Sequence, residues 1–334
     1  MTRHEQQSRL SNVARVDSFS RDTREFVEAS MRGDGCLVRV THASVGSTDI
    51  MARRGDYLLH PFPGFVSGYD FIGIVEFIDR PAQSLGLSVG DRVAGVLPGM
   101  GAHATRLRVP SSLLVPVPDG LASEDAATLP LDGVTARHAL DLLKPSPKAL
   151  FINGVSGAVG LLAAQLAALD GVRVSGTASP ASAALAMQYG AATFDYGDTQ
   201  WPRQLLDQVG KVDGVIDHTG SRTLNSVVKR NGRIVRTAFG GPVGHQKAAT
   251  AAGFAKTLVQ RFARPSQIVC STPMYVAMKR RSYRRDLTKV LELADSGRLK
   301  PLDPVVYDVS HYHEALDAAG QPAPGKKVVL TFGE

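Results

Sequence analysis

A doubly wound α/β sheet, parallel and inserted into a smaller β-rich module, is the fold class predicted by three features of this 334-residue chain. First, an apolar strand at 149–152 runs into a small-residue turn carrying Gly154, Gly157 and Gly160, and from there into a helix at 161–169. Second, apolar strands and helix-patterned segments then alternate at the spacing of βαβ units, which is how parallel sheets are built. Third, the upstream segments are short, partly alternating, and separated by Gly, Pro and Asp, the spacing of a mostly antiparallel β module.

In chain order, residues 1–35 read as irregular or weakly stranded, with a first strand at 12–19. Strands follow at 37–40, 73–78, 92–97 and 105–109. Two helices come next, at 123–127 and 133–143; Ser123 opens the first, with Glu124 and Asp125 in its first turn. After the glycine turn and its helix, a strand is expected at 172–175, a helix at 181–189, and strands at 192–196, 212–217 and 232–236. The βαβ region ends near residue 270. Helices at 286–296 and 311–319 and a strand at 327–332 close the chain. The β-rich module thus comprises 1–128 and 275–334, interrupted by a dinucleotide-binding domain at 129–274. No internal repeat or low-complexity linker occurs.

A hydrophobic fraction of 43% and a charged fraction of 21% are those of a soluble globular protein, and the length suits two domains. No apolar run is long enough to cross a bilayer, and residues 1–10 lack the apolar core of a signal peptide. The two cysteines, Cys36 and Cys270, supply neither a disulfide framework nor a cysteine-built zinc site. A cytoplasmic protein with no membrane partner is expected. The net charge of +7 favours anions, and its one dense cluster lies at 279–285. That cluster reads either as a solvated helix face or as a docking surface for an acidic carrier protein or a phosphorylated substrate tail. Basic residues are not interleaved with aromatics over a broad surface, so nucleic acid is not an expected partner.

The chemistry begins at the glycine turn. Glycines let backbone approach a phosphate closely, and free N–H groups at a helix start attract negative charge, so the turn suits a dinucleotide pyrophosphate. The bland reading is a plain tight turn, and the βαβ context argues against it. At the end of the second strand, an NAD site usually carries an acid that accepts from the ribose hydroxyls. Here Ser175-Gly176-Thr177-Ala178-Ser179 offers hydroxyls and no acid, which favours NADPH.

A series of short motifs then runs in order: Leu37-Val38-Arg39-Val40, Arg54-Gly55-Asp56-Tyr57, Gly68-Tyr69-Asp70-Phe71-Ile72-Gly73, Val89-Gly90-Asp91-Arg92-Val93, Gly133-Val134-Thr135-Ala136, the glycine turn, and Gly325-Lys326-Lys327-Val328. In that order they resemble the medium-chain dehydrogenase/reductases, in the zinc-independent quinone-oxidoreductase branch that includes enoyl reductases. The resemblance covers nearly everything from Leu37 onward. It implies a Rossmann-type sheet inserted in a GroES-like catalytic domain, an active site between the domains, and a homodimer.

Zinc-dependent relatives need thiolate and imidazole at fixed places. Here Gly46 stands for the cysteine, Tyr69 for the histidine of Gly-His-Glu, and the four-cysteine lobe has no counterpart. No catalytic or structural zinc is expected. His311 and His313, two apart on a helix, point to different faces. His60, beside Tyr57 and a Pro-Phe-Pro stretch, is expected to border the cleft, and His42 and His218 to be structural.

The resemblance also assigns roles. Gly154, Ser156, Gly157, Ala158, Val159, Gly160, Thr177 and Ser179 would hold the cofactor, with Thr135 near the nicotinamide and Lys326 a further contact. Tyr196 matches a position near the 2′-phosphate, or merely caps a strand end; where relatives add a lysine, this chain has Ala183. Tyr57 matches the enoyl-reductase tyrosine of Gly-x-Tyr, either as a donor to the substrate oxygen or as cleft wall. Tyr69, Gly46, His60 and Tyr275 would line the substrate pocket, Gly46 leaving out a polar group usual in the quinone branch, and 254–285 would set specificity. Asp49 reads as a structural acceptor. The implied function is a metal-independent, NADPH-dependent reductase of a carbon–carbon double bond conjugated to a carbonyl in an enone, enoyl thioester or quinone, with a small-molecule substrate, free or carrier-linked. The alternatives are quinone reduction proper, a reductive cyclase of natural-product biosynthesis, and a non-catalytic NADPH-binding structural or regulatory protein.

Overall fold

A computed structural model describes residues 10–18, 27–30 and 35–333. The chain divides into two compact units: one runs through Leu131 and resumes at Pro273, and the other is Asp132–Thr272.

The first unit is built on nine strands before the division, β1 Leu10–Val13, β2 Arg15–Val16, β3 Val27–Ser30, β4 Cys36–Val45, β5 Phe65–Val66, β6 Asp70–Phe77, β7 Arg92–Val96, β8 Arg106–Val109 and β9 Leu114–Pro116. The second holds β10 Ala149–Ile152, β11 Arg173–Ala178, β12 Ala192–Asp195, β13 Val212–Asp217, β14 Val228–Arg236 and β15 Ser266–Val269. Two more strands return to the first unit, β16 Asp303–Asp308 and β17 Lys326–Thr331.

In the first unit a seven-stranded sheet runs β16-β17-β4-β6-β7-β9, with β8 also on β4. Its pairs are antiparallel except β16 with β17, which are parallel. The expected first strand at 12–19 is two short ones that pair with different partners, β1 with β3 and β2 with β5; Phe19 lies outside the described residues. β4 carries alternating apolar residues and contributes Val38, Val40, Ala43 and Val45 to the core. Helix Arg280–Asp295 lays Tyr283, Leu287, Val290 and Leu291 inward at helical spacing, starting six residues earlier than its sequence suggested. The basic cluster therefore sits on its first turns. The cluster is only partly solvated: Arg280 donates to Ser112 Oγ (2.7 Å), Arg284 to the Ser111 carbonyl (2.9 Å), and Arg285 to Asp286 Oδ1.

In the second unit all five strand pairings are parallel, in the order β12-β11-β10-β13-β14-β15. This is the doubly wound order 3-2-1-4-5-6, whose direction reverses between β10 and β13 and leaves a crevice beyond their carboxyl ends. The four residues of β10 are all buried, as in a strand covered on both faces. Phe151 stacks on Trp201 of helix Trp201–Gln208 (centroids 5.1 Å apart), above a core that includes Val215 and Ile234. The sheet's outer edge, β15 and the helix Gln246–Gln260, has no counterpart among the expected elements, since 254–285 reads only as setting specificity.

Candidate functional site

In the second unit, β10 ends at Ile152 and the chain turns through Asn153–Gly157 into helix Ala158–Leu169. Gly154 adopts φ +78°, and a Cβ there would meet His218 Cε1 at 2.5 Å. A Cβ on Gly160 would lie 2.3 Å from the Gly154 carbonyl oxygen, so the helix packs directly on the turn. Gly157 caps the helix with no side-chain hydrogen bond, which leaves the first-turn N–H groups of Ala158, Val159 and Gly160 without helical partners. A cradle that side chains would fill, facing orphan donors, fits a pyrophosphate.

Hydrogen bonds hold the turn from beneath. Gly154 N–H donates to Thr177 Oγ1 (2.9 Å), Thr177 Oγ1 to Asn153 Oδ1 (2.6 Å), and Asn153 Nδ2 to Asp217 Oδ1 (2.7 Å). Thr177 is buried, so its hydroxyl fixes the turn. Asp217 also accepts from Thr219 and Gly220 and forms an ion pair with Arg236, both side chains nearly inaccessible. Burial works to raise the Asp217 carboxyl, yet the Asn153 hydrogen bond and the Arg236 charge hold it below the usual range. Arg236 in turn donates to Gln267 Oε1 and to the Ser221 carbonyl.

Beyond the turn, β11 ends without an acid. Ser156 Oγ lies 2.9 Å from Ser182 Oγ, which lies 2.8 Å from Ser179 Oγ, a chain of three hydroxyls. Tyr196 is 65% exposed, and its backbone N–H donates to the Ala178 carbonyl. Asp195 lies on β12 beside Ala178, its carboxylate accepting the Gly197 N–H. Thr135 Oγ1 pairs with Thr272 Oγ1 at 2.6 Å, a partner the sequence did not suggest. His218 Nδ1 donates to the Asn153 carbonyl (2.9 Å), and the ring stands over Gly154. The structural role expected of His218 carried no place at the turn, because a lone histidine after a strand has no pattern.

In the first unit, Asp49 draws two segments together. Its buried carboxylate accepts from Gly46 N–H and from Gly68 N–H, each at 2.9 Å. Gly68 must be glycine, since φ is +87° and a Cβ would strike His103 at 2.4 Å. Gly46 has another reason to be small: a Cβ there would sit 3.3 Å from Lys327 Nζ. On β17, neighbouring residues face opposite sides, so Lys327 is buried while Lys326 is exposed. The lysine turned toward Gly46 is thus the neighbour of the one the resemblance assigned.

Tyr69 follows Gly68 and is 1% exposed, packed with Ala52 and Met100. Its hydroxyl meets the Tyr57 hydroxyl at 2.8 Å, with the rings edge to face. Tyr57 is half-buried, and His60 stacks on it (6.1 Å) while packing against Phe65 (4.4 Å). Burial pushes the Tyr57 phenol up to about 12, and the Tyr69 hydrogen bond works against that rise. Burial raises Tyr69 further still and lowers His60. At neutral pH the cluster offers protonated phenols and a neutral imidazole. Tyr275 is not with them: its hydroxyl donates to buried Asp286 at 2.5 Å. Among the described residues, no group of three or more His, Cys, Asp or Glu side chains is arranged to hold a metal ion.

Two family models match the chain, the alcohol dehydrogenase GroES-like domain over residues 32–119 and the zinc-binding dehydrogenase over 158–266. A GroES-like β unit in one chain with a nucleotide-type parallel sheet defines a dehydrogenase/reductase architecture. A trans-enoyl reductase, caaB of Aspergillus niger, is 35% identical over 196 residues, 51% of this chain and 52% of that protein. A quinone oxidoreductase of Pseudomonas aeruginosa is 34% identical over 195 residues, 56% of this chain and 59% of that protein. The fold matches the crystal structure of the CurF ER cyclopropanase from the curacin A biosynthetic pathway (TM-score 0.80, 19% identity), over 97% of this chain and 100% of that one. In these matches the chain spans about half the length of the curated relatives. The chain belongs to the medium-chain dehydrogenase/reductase family, in its zinc-independent, quinone oxidoreductase and enoyl reductase-like branch. By the resemblance, Gly46 and Tyr69 fall where zinc-dependent relatives carry a cysteine and a histidine, and a glycine has no side chain to bind a metal.

Proposed function

We propose that the chain is a metal-independent, NADPH-dependent reductase of a carbon–carbon double bond conjugated to a carbonyl. The observation that carries the reading is the half-buried, protonated Tyr57 hydroxyl, held by Tyr69 where zinc relatives place a ligand. The trans-enoyl reductase and quinone oxidoreductase among its relatives support it. The Gly154–Gly160 turn would hold the pyrophosphate, and the Ser156, Ser179 and Ser182 hydroxyls with Tyr196 would receive the 2′-phosphate. When bound, NADPH supplies a hydride to the β-carbon of the acceptor. The negative charge that then develops on the acceptor's carbonyl oxygen needs a donor, and Tyr57 gives its proton to that oxygen, or to the α-carbon, and regains one from solvent. The substrate is a small molecule, free or carrier-linked. A homodimer in a reducing, cytoplasmic setting completes the reading, and the buried free thiols of Cys36 and Cys270 suit that compartment.

The test is NADPH oxidation by the purified protein with a panel of enones, enoyl thioesters and quinones. Turnover of the first two classes supports the reading, turnover of quinones alone replaces it with quinone reduction, and none at all leaves a dinucleotide-binding protein without this chemistry. Cofactor preference is a separate expectation. A charge-assisted phosphate contact contributes about 1–3 kcal/mol, so NADPH should bind at least several-fold more tightly than NADH. Equal affinities in a fluorescence titration would remove NADPH from the assignment. A third expectation concerns pH. With Tyr57 raised to about 12, its proton stays in place across the neutral range, so the hydride-transfer step should not lose rate through Tyr57 below roughly pH 10. An alkaline limb near pH 8 that vanishes in Tyr57→Phe would contradict this.

A further inference from the structure

We propose that Tyr69 is a positioning residue: its buried hydroxyl donates to the Tyr57 oxygen and so turns the Tyr57 O–H outward, toward an acceptor. The inference rests on the function proposed above and adds the source of Tyr57's orientation. Two phenols at 2.8 Å have two protons and one oxygen–oxygen contact, so only one proton can lie between them. The other must point elsewhere, and the surroundings decide which phenol it belongs to. Tyr69 is 1% exposed and packed with Ala52 and Met100, and among the described residues its hydroxyl meets no hydrogen-bond partner but Tyr57. If Tyr57 donated to Tyr69, the Tyr69 proton would be left unsatisfied in that apolar pocket, an arrangement buried donors rarely tolerate. If Tyr69 donates, the free proton is that of Tyr57, which is half-buried and can reach water or a ligand. The second arrangement wins.

It also suits the chemistry. A phenol that accepts a hydrogen bond gives up its own proton more readily, because the incoming bond strengthens as negative charge appears on the oxygen. The opposing effects on the Tyr57 titration, raised by burial and lowered by Tyr69, agree with this direction. Tyr69 reaches the acceptor only through Tyr57. His60, stacked on the Tyr57 ring, confines that ring from its other side.

A double-mutant cycle on single-turnover NADPH oxidation tests the proposal, with wild type, Tyr57→Phe, Tyr69→Phe and the double variant. Tyr57→Phe is expected to slow hydride transfer roughly ten- to a thousand-fold. Tyr69→Phe, which keeps the packed ring, is expected to slow it about tenfold with KM changed less than about twofold. The double variant should be no slower than Tyr57→Phe alone, because Tyr69 has nothing left to act on. Independent, multiplying effects would overturn the proposal, as would an unchanged rate in Tyr69→Phe beside a slowed Tyr57→Phe. An unchanged rate in Tyr57→Phe would instead remove the donor itself, and this proposal with it. A second measurement needs neither turnover nor a deleted hydroxyl. A 3-fluorotyrosine at position 69 keeps the ring and makes a stronger donor. The NMR signal of 13C-labelled Tyr57 Cζ should then titrate at lower pH than in wild type, and an unmoved titration overturns the inferred direction.

Discussion

Asp217→Ala is expected to cost about 5 kcal/mol of stability and Arg236→Met about 3, a difference that follows from what each leaves behind. Removing the carboxylate strands a guanidinium that is 3% exposed, and it also deprives Asn153 Nδ2, Thr219 and the Gly220 N–H of their acceptor. Removing the guanidinium leaves a buried carboxylate that loses this one donor but still accepts those other bonds, while the Gln267 side chain and the Ser221 carbonyl each lose a donor. Urea unfolding of the two variants measures the order, and a larger loss in Arg236→Met would contradict it. The sign of the pH dependence is also fixed. The folded Asp217 pKa lies below its unfolded value of about 4, so the pair's contribution is fully present above that value and fades as pH falls through the folded pKa. The Asp217→Ala variant should lack this acid-side component. Because Asp217 holds Asn153, which is joined through Thr177 to Gly154, the same variant should bind NADPH more weakly.

That pair also marks where reading the chain ran out. The strands β10, β11, β12 and β13 and the helix after Gly157 were legible because a fully apolar strand, a glycine turn and an Ala/Leu-rich helix are local patterns. So was the place of Asp49, Gly46 and Tyr69, which short motifs carry. Asp217 and Arg236 lie 19 positions apart in sequence, and nothing local says that they face each other across neighbouring parallel strands. An arginine directly after the apolar Ile234-Val235 pair of β14 was the available signal, since a buried charge needs a partner. The edge strand β15 was missed because Ser266 and Gln267 dilute its apolar character, and Gln267 is buried where it meets Arg236 through its oxygen and Asn225 through its nitrogen. Lys326 and Lys327 show the opposite case. Strand alternation guaranteed that one would face inward, but choosing which required the register of β17 against β4, where Val328 pairs with Val45. The Tyr57–Tyr69 bond was hidden for a similar reason: each residue was legible alone, and their contact depends on the fold between them.

Gly157→Ala and Gly160→Ala should separate what the turn does for the fold from what it does for the ligand. At Gly160 a new Cβ would lie 2.3 Å from the Gly154 carbonyl oxygen and 2.9 Å from Val155 Cα, both backbone atoms that cannot swing away. The helix must then move off the turn, at a cost of about 3 kcal/mol in stability, with NADPH binding lost as a consequence. At Gly157 the backbone is ordinary extended geometry, φ −75° and ψ 166°, and the nearest atom to a new Cβ is the Gly154 carbonyl oxygen at 3.3 Å. Stability should therefore change by less than about 1 kcal/mol. A methyl group there would nonetheless stand at the helix start, where a pyrophosphate must approach the N–H groups closely. NADPH affinity in Gly157→Ala should fall about tenfold, roughly 1.4 kcal/mol, in a protein whose thermal midpoint is nearly that of wild type. Isothermal titration alongside a melting curve reads both quantities on one sample. Unchanged affinity in a stable Gly157→Ala would mean that the phosphates do not lie against this helix start. The turn would then be a packing device, and the case for a dinucleotide would have to rest on the rest of the crevice.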